Sequence, residues 1–499
     1  MSIQEKKKDL SFLPAGGRIY FVGIGGSSMS GLAKLSKCMG FLPAGSDNHL
    51  SARTYELEAM DIPVYPQTDA DGLRDFHPDL VVYTAAILPG NPELTYAGEH
   101  NLPTVDRARF LGLITASFEN VINISGTHGK TTTTAMTARI LLRSGLDPTV
   151  HLGADLSDFG GSVHMGKDRN LFVSEACEFQ RSFLQFYSTT AAITNIDYDH
   201  VDCYSDIDEV IDAFARFSAK LKNTTPGFDK EGDRASSRGE GILVVPAFDP
   251  NVAEAVRRMH HYREPLGLLP PKIISTGKRG DIFPITGREP DVVADNIRYT
   301  DGYPSFDVYA FGDFYAHIDL SIPGDHNIYN ALTAIACAGR HGATPTAAAE
   351  SLRSFTGADG RYTVKGKFQG ATVVTDYAHH PSATRATLQA ASKMPHNKTW
   401  VVYQPLTFKR TAVLFDDYVQ SLLPCEHVIL AEIFSDREIN SGTVSSKEIA
   451  DAINKSGGNA EFIPEKPEIK KRLSRLVGHG DLILLLGPED IRNLAEDLI

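Results

Sequence analysis

The chain has 499 residues, 42% hydrophobic and 22% charged, and its 49 Lys and Arg against 62 Asp and Glu give a net charge of −13. At about 150 residues per domain the length predicts about three domains, and the ordinary composition excludes collagen-like, low-complexity and disordered chains. The acidic balance argues against a general nucleic-acid binder and leaves anion binding to local pockets. No apolar run approaches the ~20 residues of a membrane span, and no apolar stretch follows the basic start MSIQEKKKDL, so neither a membrane-embedded chain nor a secretory leader is expected. Cys38, Cys177, Cys203, Cys337 and Cys425 are scattered and never spaced C-x-x-C. That pattern favours a reducing cytoplasm over a disulfide framework or a zinc site.

In chain order the texture is strand, short turn, helix. RIYFVGIG reads as a strand ending in glycines, and the turn GIGGSSMSG, residues 23–31, opens the helix after it. Its glycines would let a backbone approach a pyrophosphate at a helix N-terminus. Ser28 stands where a strict dinucleotide fingerprint has its third glycine, and Asp47 lies at the distance of a ribose-binding acid. LVVYTAAI is another buried strand. NVINIS then leads into SGTHGKTTTT, residues 125–134. Gly126, Gly129, Lys130 and Thr131 form a variant phosphate-binding loop, with Ile124 where the strict motif has glycine. A first domain boundary is expected near Thr115 to Asn120, before this loop.

Two further strands end in acids. LFVSEACE carries Glu175 and Glu178, and AAITNIDYDH carries Asp197, Asp199 and His200. Hard oxygen donors and a base are what a phosphate-loop enzyme needs near Mg²⁺, and Glu175 and His200 could supply them. The polar segment 224–240 reads as a surface insertion, and the alternation in IRYTDGYPSFDVYAFGDFYAHIDLSI as antiparallel hairpin strands. PGDHNIYNALTA places His326, Asn327 and Asn330 in one helical turn, suited to a base edge and face. A second boundary is expected near Ser354 to Gly360. Beyond it TDYAHHPSA ends a strand in Asp376, followed by Tyr377, His379 and His380, and YQPLTFKRT places Lys409 and Arg410 after another. These groups could hold a carboxylate and an incoming amine. Adjacent histidines on one loop seldom share a metal, so no dedicated site is expected there.

Taken in this order, GIGGSSMSGLA, SGTHGKTTTT, SEACE, NIDYDHVDCY, DHNIYNALTA, GRYTVKG, DYAHHPSA and AEIFSDREINSG resemble the Mur ligase family from about Tyr20 to the C-terminus. The resemblance implies an α/β fold of three domains: a Rossmann-like UDP-sugar domain over 1–117, a phosphate-loop ATPase-like domain over 118–355, and a Rossmann-like amino-acid domain over 356–499. It places Gly23, Gly25, Gly26, Ser28 and Met29 at the pyrophosphate, Ser46, Asp47, Thr84 and Ala85 on the uridine side, and His128 and Asn195 at the lactyl end. ATP would be bound by Gly126, Thr127, His128, Gly129, Lys130, Thr131 and Thr132, its adenine by His326, Asn327 and Asn330, with Arg361 and Asp376 from the third domain. Thr131, Glu175 and His200 would hold Mg²⁺, and Tyr377, His379 and Arg410 would meet the amino acid. Lys130, His200, Glu175, Arg410 and His379 would carry the catalysis.

The implied reaction is ATP-dependent amide-bond formation. A carboxylate cannot acylate an amine directly, so the lactyl carboxylate of UDP-N-acetylmuramate takes the γ-phosphoryl group and the amine of L-alanine then displaces phosphate. The alternative within the family joins a recycled tripeptide instead. Small molecules are the expected partners, for a cytoplasmic monomer or homodimer. The chain departs from the family at Leu406, where His is usual, at the GPED ending, in the longer 224–240 insertion, and at Gly360–Tyr362, where one arginine replaces a pair. Two other classes compete. A nicotinamide oxidoreductase would leave the GKT loop unused, and a nucleotide-gated binding protein would leave Tyr377, His379 and Arg410 unexplained.

Overall fold

A computed structural model of the chain describes residues 9–499 apart from 68, 85–86, 88–89, 157, 223–226, 229–233, 236–240, 436–437, 439 and 441. Ala85, most of the 224–240 insertion and part of SDREINSG therefore lie outside the described residues. Strands β1 (Arg18–Val22), β2 (Leu42–Asp47), β3 (Val64–Pro66), β4 (Leu80–Tyr83) and β5 (Thr104–Asp106) form a parallel sheet in the order β3-β2-β1-β4-β5. The strand order reverses beside β1, and the first glycine turn sits at its carboxyl end, the crevice that ligands use in such sheets.

The second sheet has ten strands. They are β6 (Asn120–Ser125), β7 (Pro148–Leu156), β8 (Gly161–His164), β9 (Asp168–Glu175), β10 (Thr190–Ile193), β13 (Ile242–Pro246), β14 (Lys272–Lys278), β15 (Val292–Thr300), β16 (Tyr303–Ala310) and β17 (Asp313–Asp319), in the order β17-β16-β15-β14-β13-β10-β6-β9-β7-β8. A two-stranded ribbon, β11 (Gly227–Phe228) with β12 (Arg234–Ala235), stands between β10 and β13 in sequence. The third sheet runs β18-β19-β23-β20-β21-β22, from β18 (Thr363–Phe368), β19 (Ala371–Asp376), β20 (Thr399–Tyr403), β21 (His427–Leu430), β22 (Ala460–Phe462) and β23 (Leu482–Leu486). Only its edge strand β18 is antiparallel.

The architecture is α/β throughout, as expected. Both faces of the second sheet are buried: Val121, Phe172 and Ala191 point into one core, and Ile122, Val173 and Ala192 into the other. That is why these strands read as unbroken apolar runs rather than alternating ones. The meander β15–β17 is antiparallel, as its alternation predicts. Strands β2 and β7 were not expected. Both contain Gly and Pro, and they are held by their neighbours, β2 between two parallel strands and β7 between parallel β9 and antiparallel β8, rather than by intrinsic propensity. No helix among the described residues is long and apolar enough to cross a membrane.

The helix Arg107–Ala116 locks the first sheet to the second, and it is buried on nearly every side from Ala108 to Thr115. A Cβ at Gly112 would lie 2.2 Å from the carbonyl oxygen of Gln185. Alanine would gain about 1 kcal/mol of helix propensity, but overpacking against backbone costs about 1–3 kcal/mol. Gly112→Ala should therefore lower the first thermal unfolding midpoint. A raised midpoint in calorimetry would show that this interface yields.

Candidate active site

At the end of β1, Gly23 turns with φ +82°. The Gly23 and Ile24 amides donate to the Ser46 carbonyl at 2.8 and 2.9 Å. The Gly25 amide donates to Asp47 Oδ2 at 2.8 Å, and a Cβ at Gly25 would sit 2.8 Å from that same oxygen. Asp47 thus closes the turn. Thr84 packs on the other side, its Cγ2 2.9 Å from where a Gly23 Cβ would be. Met29 is buried in the core below. Ser46 is also fully buried, and its hydroxyl donates at 2.7 Å to Glu93, which Tyr20 and Gln67 also bond. The Ser46 side chain therefore faces the domain interior.

Gly26 caps the helix Ser27–Cys38, and Ser28 lies in its first turn. Arg107 Nη1 donates to Ser28 Oγ at 3.1 Å, and His151 Nε2 is 3.4 Å from it. Both come from far along the chain, so no local motif reveals them. Burial, and then the Arg107 charge, push the His151 imidazole down to about 4.

The phosphate loop joins β6 to the helix Lys130–Arg143. Gly126 has φ +139°, and a Cβ there would lie 2.0 Å from Thr194 Oγ1. Gly129 has φ +82°, and a Cβ there would lie 2.5 Å from Asn330 Oδ1. Asn195 clamps the loop, its Oδ1 accepting from the His128 amide and its Nδ2 donating to the His128 carbonyl, both at 2.9 Å. The Thr127 hydroxyl accepts from the Asp197 amide at 2.8 Å. Thr132 is buried behind the loop.

Lys130 Nζ bonds the Thr127 carbonyl at 3.1 Å and Glu178 Oε2 at 2.9 Å. Burial opposes both charges, but each partner favours the other, so the Glu178 carboxyl is held below and the Lys130 ammonium above its ordinary value. His200 Nε2 stands 3.4 Å from Glu178 Oε1. Glu175 does different work: its Oε2 accepts from the Thr131 hydroxyl at 3.1 Å and its Oε1 from the Gly153 amide at 2.7 Å. The expected trio Thr131, Glu175 and His200 is thus divided, with Glu175 beside Thr131 and His200 beside Glu178. Cys177 shares the His200 cluster, but burial pushes its thiol up to about 11, the protonated form.

The sheet order explains this gathering. β10, β6 and β9 are adjacent and parallel, so Asn195, the loop and Glu175 emerge at one edge. In the third sheet β19, β23 and β20 do the same for Asp376–His380, Gly487–Arg492 and Gln404–Arg410. The two edges meet. Arg361 Nη2 lies 3.5 Å from Thr131 Oγ1, and Ser382 Oγ donates to Asp197 Oδ2 at 2.5 Å. Arg410 Nε and Nη2 both reach Asp199 Oδ1 at 2.7 Å. Arg410 and Asp199 are buried, and Arg410 Nη1 has no hydrogen-bond partner. Burial opposes ionisation of Asp199, yet the Arg410 charge holds its carboxyl well below the usual range.

Asp376 Oδ2 accepts from the Tyr362 amide at 3.1 Å. His379 Nδ1 bonds the Tyr377 carbonyl at 2.8 Å, and its ring meets Tyr377 edge-on at 4.6 Å. Leu406 is buried and pairs with Phe434 in an isolated bridge. Asn327 Oδ1 accepts from Asn330 Nδ2 at 2.9 Å, joining the two asparagines expected at the adenine to each other, while His326 is exposed. A cleft of about 620 Å³ opens beside the linker, lined by Asp155, Pro323, Ala358 and Tyr362 among others. It contains none of the phosphate-loop residues.

Fold and site together define a three-domain enzyme built around a phosphate loop. Residues 18–119 match the family model "Mur ligase family, catalytic domain", residues 124–338 "Mur ligase middle domain", and residues 360–488 "Mur ligase, glutamate ligase domain". The chain belongs to the Mur ligase family. It is 37% identical over 479 residues to a UDP-N-acetylmuramate–L-alanine ligase of Clostridium novyi, covering 96% of each chain. The Clostridium acetobutylicum protein of that name is also 37% identical, over 480 residues and 96% of each. The structure of the Thermotoga maritima UDP-N-acetylmuramate–alanine ligase superposes with TM-score 0.74 at 25% identity, covering 97% of this chain and 98% of that one. A Psychrobacter arcticus murein peptide ligase reaches TM-score 0.67 at 24% identity with the same coverage.

The loop geometry can be tested by a pair of glycine substitutions. Gly145 has φ +78°, and a Cβ there would have nothing within 4 Å, so Gly145→Ala adds strain without a clash. Gly129→Ala adds both, and should weaken ATP binding at least tenfold by calorimetry while Gly145→Ala leaves it unchanged. Separately, His151 and His380 are buried. Burial, then Arg107 for one and His128 for the other, bring both imidazoles down to about 4. An unfolded chain protonates them at about 6.5, so the unfolded state binds more protons between these values and stability falls as pH drops. The thermal midpoint should therefore fall from pH 7 to pH 5, and a flat profile would contradict neutral buried imidazoles.

Proposed function

We propose that the chain is an ATP-dependent ligase that joins L-alanine to the lactyl carboxylate of UDP-N-acetylmuramate, a step of peptidoglycan precursor synthesis. The observation that carries this reading is the meeting of two strand-end clusters: Lys130, Thr131 and Glu175 on the second sheet, and Arg361, Tyr377 and His379 on the third. A phosphate loop alone would serve a switch. A second anion- and amine-facing cluster against it serves ligation. The relatives at 37% identity, named for the alanine reaction, support the same substrates.

The roles follow from charge. The first glycine turn, closed by Asp47, would seat the UDP pyrophosphate with Ser28 and Arg107. Lys130 would leave the carbonyls of its own loop for the phosphates of ATP. The lactyl carboxylate attacks the γ-phosphorus and ADP leaves, giving an acyl phosphate. The alanine amine then attacks the acyl carbon, loses a proton, and phosphate departs. With His379 Nδ1–H donating to the Tyr377 carbonyl, Nε2 keeps a lone pair for the amine side. Arg410, already bound to Asp199, would offer Nη1 alone to the alanine carboxylate.

The Thr131 hydroxyl and Glu175 carboxylate are hard oxygen donors side by side, a set that fits Mg²⁺, with His200 one carboxylate away. When bound there, Mg²⁺ would screen the repulsion between ATP and the attacking carboxylate. The five free cysteines suit a reducing, cytoplasmic setting.

The test is phosphate release from ATP and Mg²⁺ with UDP-N-acetylmuramate, with and without L-alanine, L-serine, glycine or the L-Ala-γ-D-Glu-meso-diaminopimelate tripeptide. Release requiring both the sugar nucleotide and L-alanine, with a matching mass gain, is expected, and Lys130→Ala should reduce it at least a hundredfold. Release with the tripeptide alone would assign the recycling reaction instead. Release indifferent to any amine would leave a nucleotide switch.

A further inference from the structure

Two guanidinium groups face one aromatic ring beside the phosphate loop. Arg361 Cζ stands 5.0 Å from the Tyr377 ring centroid, and Arg492 Cζ 5.4 Å. Arg361 belongs to the linker before β18, and Arg492 ends the short helix Glu489–Arg492 after β23. The sheet brings them together, because Asp376 at the end of β19 is in register with Leu486 at the end of β23. Gly360 makes the room: it has φ +70°, and a Cβ there would lie 2.0 Å from Arg492 Nη1.

Asp376 acts on the Arg361 charge and Asp359 and Glu489 on that of Arg492, but none of them closes to an ion pair with either arginine. Asp359, the nearest acid in the linker, is paired with Lys365 at 3.0 Å. Among the described residues neither Arg361 nor Arg492 makes an ion pair, and Arg492 Nε is buried with no hydrogen-bond partner. Burial, and then the Arg361 charge, hold the Arg492 guanidinium below its ordinary value, outweighing Asp359 and Glu489. A bound anion would relieve that repulsion and take up the open donor. Its position is set by Arg361, whose Nη2 lies 3.5 Å from Thr131 Oγ1 at the phosphate end of the loop. Arg410, another third-domain arginine at this edge, is paired with Asp199 through Nε and Nη2.

We propose that Arg492 binds the γ-phosphate of ATP together with Arg361, and stays with that group as it passes to the lactyl carboxylate. The proposal rests on the reading that Lys130 and Thr131 hold ATP. It makes the nucleotide site a product of both ends of the third domain. No sequence motif around Arg492 announces this.

The experiment compares Arg492→Gln and Arg492→Lys with wild type in the full chain, by calorimetric titration with Mg²⁺ and either ADP or a β,γ-imido analogue of ATP, and by steady-state kinetics. Arg492→Gln should weaken the imido analogue about tenfold or more and change ADP less than twofold. It should raise the KM for ATP and leave the KM for L-alanine in place. Arg492→Lys, which keeps the charge without the fork, should fall between and serves if the Gln variant does not fold. Equal weakening of both nucleotides, a change confined to the alanine KM, or no change would overturn the proposal. A wild type that binds neither nucleotide would instead overturn the phosphate-loop reading itself.

Discussion

The buried pair of Asp199 and Arg410 is the interaction on which the site depends. Asp199 follows β10 in the second sheet, and Arg410 lies in the helix Phe408–Val413 of the third. An isolated carboxylate or guanidinium at this depth would be strongly unfavourable, and removing one partner of such a pair costs about 3–5 kcal/mol. Each charge is therefore tolerated only while the two sheet edges stay together. The contacts of Arg361 with Thr131 and of Ser382 with Asp197 exist on the same condition. Exclusion of water from a reactive acyl phosphate needs this closeness as well.

Backbone constraints act beside that electrostatic one. The two loop glycines are fixed by different neighbours, Gly126 by Thr194 after β10 and Gly129 by Asn330 in the helix Asp325–Gly339. One loop is thus held from the strand side and from the helix side. Asn195 adds a pair of hydrogen bonds to His128, accepting from its amide and donating to its carbonyl. A rigid cradle of this kind is already shaped for phosphate when the anion arrives, so little ordering entropy is lost on binding. Asp325 contributes across the same gap, where Lys278 at the end of β14 and Lys393 at the end of the helix Pro381–Ser392 both pair with it, at 3.3 and 2.5 Å.

Division of labour between two nearby carboxylates is a further consequence of packing. Glu175 and Glu178 are three residues apart, yet one meets Thr131 and Gly153 and the other Lys130 and His200. The chain leaves β9 at Glu175 and enters the 3₁₀ segment Phe179–Gln185 just after Glu178, so the second carboxylate turns back under the loop. Tyr204 fixes that turn by donating to the Glu178 carbonyl at 2.7 Å. Spacing along the sequence does not encode which acid takes which role.

The amino-acid sequence by itself determined the α/β class, the two glycine turns and the strand-end clusters. Each of these is local: a φ that only glycine adopts freely, or an apolar run ending in polar residues, is written in consecutive positions. Only the tertiary structure decided which clusters face each other. Arg107 and His151 at Ser28, Asp199 on Arg410, and Arg492 beside Arg361 join segments from 79 to 211 residues apart, or the two ends of one domain. Ser46 reads as a cleft residue in sequence and is turned inward by Glu93. Strand order and register fix these pairings, and they arise from burial and hydrogen bonding over the whole sheet, which no single motif contains.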